Sequence, residues 1–314
     1  MAVRADAVMG TVVTIDVDAE GAGEAVERAL GWFHHVEACC SRFEEESELM
    51  RLSAQTAVPV PVSDLLFEAV RFGLHVAAAS GGAFDPTVGA AMMHRGFDRE
   101  HRTGRRVRRP RRHVRATRAD AARAPAAMPP NEALPAPSYR DVLLDETRRT
   151  ITLRRPLVLD LGAVAKGLAV DLAARELAPF RDFAVSAGGD LFLGGMNPGG
   201  QRWTVGIRHP RRPGELIASV SVSNQAVCTS GDYERPAPDG AAGHHILDAR
   251  VGASPPATAS VTVIAPTAML ADALATAAFV LGPVEGIAFL QRMDAEGLIV
   301  GTDLVCHRTL GFPS

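Results

Sequence analysis

The stretch from Thr267 to Leu281 is apolar on nearly every face of a helix and carries one charge, Asp272. A helix without a polar face has to be covered on all sides. Nowhere does the sequence hold the ~18 uncharged apolar residues that a membrane span requires, so this helix is expected inside a protein core. The chain has 314 residues, 47% hydrophobic and 22% charged, and is long enough to build that core. No linker with hydrophobic periodicity resuming on either side divides it, so residues 1–314 are read as one domain.

Residues 7–17 alternate β-branched and polar types and read as a strand. From Gly23 to about Cys40 the apolar positions Ala25, Val26, Ala29, Leu30, Phe33 and Val36 recur at helical spacing, and a second amphipathic helix is expected from about Ser63 to Ala79. After short strands near 140–145 and 150–153, Leu157-Val158-Leu159-Asp160-Leu161 leads through a glycine-bearing turn into a helix from about Gly167 to Ala178. Further strands are expected at 182–186, 190–194, 203–208, 217–222 and 259–265. With no regular βαβ rhythm, the pattern predicts an α+β fold: a single domain of mixed, mostly antiparallel sheet with packed helices.

A net charge of −3 gives no global attraction to nucleic acid or to an anionic membrane. The arginines are nevertheless crowded between His94 and Arg123, and with the Pro-rich piece to Pro137 they form an exposed segment at about 94–137. That segment lacks the interleaved aromatics of a single-strand nucleic-acid site, so no nucleic-acid partner is expected. The four cysteines form no CxxC pair and read as reduced thiols. No secretory segment opens the chain, and a cytoplasmic location is expected.

A buried carboxylate needs a partner. Thr276 stands four residues beyond Asp272, on the same helical face. Two hard oxygens side by side suit Mg²⁺, which keeps few protein ligands and fills its shell with phosphate and water. The same pair also fits an Asp bound to a distant Arg and a Thr bonded back to its helix. Lys166 is the only lysine in the sequence and sits at a strand-turn-helix junction, where helix N-termini bind anions. It either neutralises a phosphate or is simply solvated. Of His244-His245, one either takes a proton from an attacking hydroxyl or both are surface or structural histidines.

These pieces, in this order, resemble the ApbE family of FAD:protein FMN transferases from about Ala7 to Pro283. The resemblance rests on Met9-Gly10-Thr11, Ser41-Arg42-Phe43 with Ser47-Glu48-Leu49, and the turn from Phe84 to Gly89. It continues through Asp160 to Gly167, Ala187-Gly188-Gly189-Asp190, Thr229 to Tyr233, His245 to Asp248, and Ala265-Pro266-Thr267 through Asp272 and Thr276. It implies a T-fold-like α+β domain and Mg²⁺ held by Asp272, Thr276 and the Ala163 carbonyl. It further implies FAD, as substrate, against Met9, Phe43, Ala83, Phe84, Asp85, Asp160, Lys166 and Leu247, with His245 as base and Lys166 assisting. The implied partner is a protein acceptor carrying a Thr or Ser hydroxyl, with FMN attached and AMP released. The arginine pairs between 105 and 112 would then steer an acidic acceptor toward the flavin.

Overall fold

A computed structural model of the protein describes residues 2–99, 104, 107, 136–238 and 243–313. The arginine pairs of the 94–137 segment, and so their steering role, lie outside the described residues. Strands β1 (Ala2–Val8), β2 (Thr11–Val17), β6 (Phe183–Ala187), β7 (Asp190–Gly194), β10 (Gln225–Gly231), β11 (Thr258–Ala265), β12 (Glu296–Gly301) and β13 (Cys306–Arg308) form one eight-stranded sheet in the order β1-β2-β6-β7-β10-β11-β12-β13. Every neighbouring pair in it is antiparallel. A small sheet of β3 (Val60–Pro61), β4 (Val142–Asp145) and β5 (Thr150–Leu153) and a hairpin of β8 (Trp203–Arg208) and β9 (Leu216–Val222) complete the strands.

Alternation along the central strands covers both faces of the large sheet. Ala226 and Cys228 of β10 and Val263 and Ala265 of β11 join a core with the helices, whereas Val227 and Ile264 turn to the other side. There they meet Ile207, Val220 and Val222 of the β8–β9 hairpin. The helical side holds α1 (Gly23–Cys40), α3 (Asp64–Ala79), α5 (Gly162–Leu177) and α6 (Ala268–Arg292), with α2 (Glu48–Ser53) and α4 (Gly89–His94) as short connecting helices. α6 packs on α5, β10, β11 and β12, which explains why its sequence has no polar face. By length and hydropathy it could cross a membrane, but it is mostly buried inside this core. It runs on past the expected Leu281, through a break at Gly282 (φ 82°) and Pro283, to Arg292.

Two local expectations are corrected. The strand read at 7–17 is a hairpin: Met9 (φ 53°) and Gly10 (φ 72°) both take positive φ and turn β1 into β2, as a two-residue type I′ loop requires. The segment 157–161 makes only an isolated parallel bridge, Val88 to Val158, and α5 begins at Gly162 instead of near Gly167. Asp160 Oδ1 accepts a hydrogen bond from the Gly162 N–H at 2.8 Å, which starts the helix early. Strand β10 takes in Thr229-Ser230-Gly231, which read as part of a small-residue turn, and β12 and β13 add two strands beyond those expected.

Candidate active site

The site lies where α5 and α6 pack together against β7 and β10. Gly167 makes this closeness possible, since a Cβ there would run into the Ala268 carbonyl at the start of α6. One turn further along α5, the Asp171 carboxylate accepts from the Ala268 N–H at 2.6 Å and the Met269 N–H at 2.9 Å. A side chain of one helix thus caps the other. Burial pushes the Asp171 carboxyl up to about 6, against the pull of those two N–H donors.

The crossing brings Lys166 of α5 to Asp272 of α6. Its Nζ donates to Asp272 Oδ2 at 3.0 Å and also to Asp190 Oδ2 at the start of β7. Asp190 and Asp272 are 2% and 4% exposed, so two carboxylates share one ammonium away from water. Burial alone would lower Lys166, but Asp190 and Asp272 outweigh it and hold the ammonium above its ordinary range. Burial, and then Asp190, push the Asp272 carboxyl up. Thr276 Oγ1 stands 3.2 Å from Ser230 Oγ of β10, so it reaches across to the sheet and not back to its own helix. Neither partner of the bland alternative, a distant Arg for Asp272 or the helix backbone for Thr276, is what the structure has.

Around this cluster is a cavity of about 900 Å³. Asp272, Thr276, Ala163 and Lys166 line it from α5 and α6, and His245 and Leu247 line it from the loop after β10. Met9 and Phe43 line it from the β1–β2 turn and the end of α1, and Ala83, Phe84, Asp85 and Asp160 complete the wall. The sequence motifs therefore converge on one space. Asp85 spends one oxygen on its own turn and one on a distant segment: Oδ1 accepts from the Thr87 N–H (2.9 Å) and hydroxyl (2.7 Å), and Oδ2 from the Tyr139 N–H (2.9 Å). His245 Nδ1 is buried without a partner, and burial followed by the Arg235 charge lowers the imidazole to about 3. The ring is therefore neutral at physiological pH.

Two residues with clear places in the cavity wall had no assigned role in the sequence. Asp190 was visible only as the acid ending a glycine turn. Arg42 is 6% exposed, pairs through Nε with Asp160 Oδ2 at 2.7 Å, and donates through Nη2 to the Phe97 carbonyl at 2.7 Å. Its guanidinium carbon lies 4.2 Å over the Phe43 ring, so it ties the cavity rim to the start of α5. An unbroken apolar neighbourhood would have marked it as buried, and Cys39-Cys40-Ser41 offers only part of one.

The sequence model of the ApbE family matches residues 9–299. This chain belongs to the ApbE family. It is 34% identical to the FAD:protein FMN transferase of Treponema pallidum over 92% of this chain and 81% of that protein, and 30% identical to that of Escherichia coli K12 over 90% and 78%. Among solved structures, it is similar to the ApbE protein of Thermotoga maritima (TM-score 0.82, 29% identity, 98% and 97% of the two chains). It is also similar to the flavin transferase ApbE of Vibrio cholerae (TM-score 0.79, 25% identity, 99% and 97%). As an ApbE member with relatives so named, it is an enzyme of the transferase class, and its α+β architecture is theirs.

The residues present fit the divalent metal that the family implies. Two buried carboxylates face one ammonium, and the crowding that raises the Asp272 carboxyl is what a further cation there would relieve. Ala163 departs from helical geometry (φ −96°, ψ 17°), a ψ that turns its carbonyl about 60° away from the helical setting. Among the described residues no group of three or more His, Cys, Asp or Glu could hold a metal. A carboxylate, a hydroxyl and a backbone carbonyl form a different set, all hard oxygens and few in number, as Mg²⁺ prefers.

Proposed function

We propose that this ApbE protein cleaves FAD and links the FMN half, through a phosphoester, to a Thr or Ser hydroxyl of an acceptor protein, releasing AMP. The observation that carries the reading is the convergence of Lys166, Asp272, Thr276 and His245 on the one cavity that also holds the expected flavin-contact residues. Asp272, Thr276 and the Ala163 carbonyl are the groups that would hold Mg²⁺. When bound, the ion supplies positive charge to the pyrophosphate oxygens.

The chain's own residues account for the remaining steps. His245, neutral because burial keeps it so, accepts the proton of the attacking hydroxyl. The hydroxyl oxygen forms a bond to the flavin-side phosphorus, and the bond from that phosphorus to the bridging oxygen breaks, the electron pair leaving with AMP. Lys166 stays charged across the physiological range and adds a fixed positive charge where the leaving phosphate develops negative charge. The walls formed by Phe84, Leu247 and Phe43 restrict competing water.

The test is mass spectrometry of a candidate acceptor after incubation with FAD, Mg²⁺ and the protein. A gain equal to FMN minus water on a Thr or Ser, with an equivalent of AMP, is expected. Free FMN and AMP with an unmodified acceptor would make the enzyme a hydrolase of FAD instead.

A further inference from the structure

We propose that Lys166 is a resident counter-ion of the metal site, that it must give up Asp272 when a divalent cation enters, and that Asp190 is the positioning residue that keeps its ammonium in the site during that exchange. The inference rests on the proposed metal role of Asp272. Lys166 Nζ is 3.0 Å from Oδ2 of Asp272, the one carboxylate proposed to hold the metal. An ammonium and a divalent cation held on the same carboxylate repel each other strongly in a poorly hydrated site. Lys166 is therefore a competitor for Asp272.

Asp190 changes what happens to the displaced ammonium. It is 2% exposed at the start of β7 and holds the same Nζ through its Oδ2. Gly188 (φ 61°) and Gly189 (φ 105°), both in conformations that favour glycine, turn the chain to set Asp190 there. A lysine tied only to Asp272 would swing toward solvent when that oxygen is taken. Tied also to Asp190, it remains beside Asp272 and so beside whatever anion the metal brings. The arrangement assigns opposite effects on metal affinity to the two members of one ion pair.

The experiment measures Mn²⁺ affinity by electron paramagnetic resonance, with no FAD present, from pH 7 to pH 9, because the raised Asp272 carboxyl loses the lowering effect of the ammonium in Lys166→Met and a proton then competes at the lower end. At the upper end of that range Lys166→Met should bind Mn²⁺ more tightly than wild type, on the order of ten-fold, because a competing positive charge is gone. Asp190→Asn should bind it more weakly by a similar factor, because Lys166 then rests on Asp272 alone. In Lys166→Met/Asp190→Asn the Asp190 effect should largely vanish, as a double-mutant cycle requires of a residue acting through another. General damage to the site would weaken all three variants. Unchanged or weaker binding by Lys166→Met at that upper end overturns the exchange, and an Asp190→Asn loss that persists without Lys166 overturns the positioning role. Wild-type protein that binds no Mn²⁺, with or without FAD, removes the metal reading and this inference together.

Discussion

Single residues in this site are tuned by burial against a few charges, and each makes a separable prediction. Asp272→Asn keeps the shape of α6 and leaves Lys166 its bond to Asp190, so the fold should persist while the metal loses its one carboxylate. Calorimetry should show Mg²⁺ binding lost, with AMP release down at least about 100-fold, a magnitude in line with the loss of a main electrostatic contributor. Full activity at ordinary Mg²⁺ would remove Asp272 from the metal site. His245 gives a prediction in pH. Its imidazole titrates near 3 in the folded chain and near ~6.5 when unfolded. Between those values the unfolded chain takes up a proton that the folded chain refuses, so the stability contributed above the upper value drains away as pH falls toward 3. His245→Gln should therefore lose less stability than wild type between pH 7.5 and pH 5. Parallel shifts of the denaturation midpoint for the two proteins would mean that the histidine is not held neutral.

At the level of elements, the site depends on how closely α5 and α6 approach. Gly167→Ala places a methyl group against the Ala268 carbonyl, and Asp171→Ala removes the cap on the first turn of α6. Overpacking costs about 1–3 kcal/mol and cap loss about 0.5–2 kcal/mol. Because Ala163 and Lys166 ride on one helix and Asp272 and Thr276 on the other, both variants should lower the melting temperature and weaken Mg²⁺ binding. A variant that melts earlier yet binds metal normally would show that the two helices need not be held so tightly. The sequence made α6 legible, because an all-apolar helix can sit only in a core, and it made Asp272 and Thr276 a pair, because a helix repeats its face every four residues. It hid the place of Asp190, which depends on a strand distant in sequence from α6, and the early start of α5, which depends on the Asp160 side chain turning back onto the Gly162 N–H. Lys166 is flanked by Ala165 and Gly167, and Asp190 follows Gly188-Gly189, types that say little about where the chain goes next.

For the whole molecule, the question is whether the cavity lies within one cooperative unit or between two. Its lining comes from the N-terminal turn at Met9, the end of α1, the 83–85 turn, α5, the His245 loop and α6, and most of these elements share one continuous core. That core runs from Val13 of β2 through Phe33 of α1 and Phe67 of α3 to Phe279 and Phe289 of α6. The β8–β9 hairpin is joined to the rest through Leu193, Val227, Ile264 and Leu298 on the reverse of the same sheet. We therefore propose that the chain unfolds as one domain, with a single heat-absorption peak whose calorimetric and van't Hoff enthalpies agree. A ligand that binds only the folded state raises the melting temperature of whatever unit contains its site. FAD with Mg²⁺ should accordingly move the entire peak upward without splitting it. Two peaks, of which ligand moves only one, would place the cavity in a separately folding part and overturn the single-domain reading.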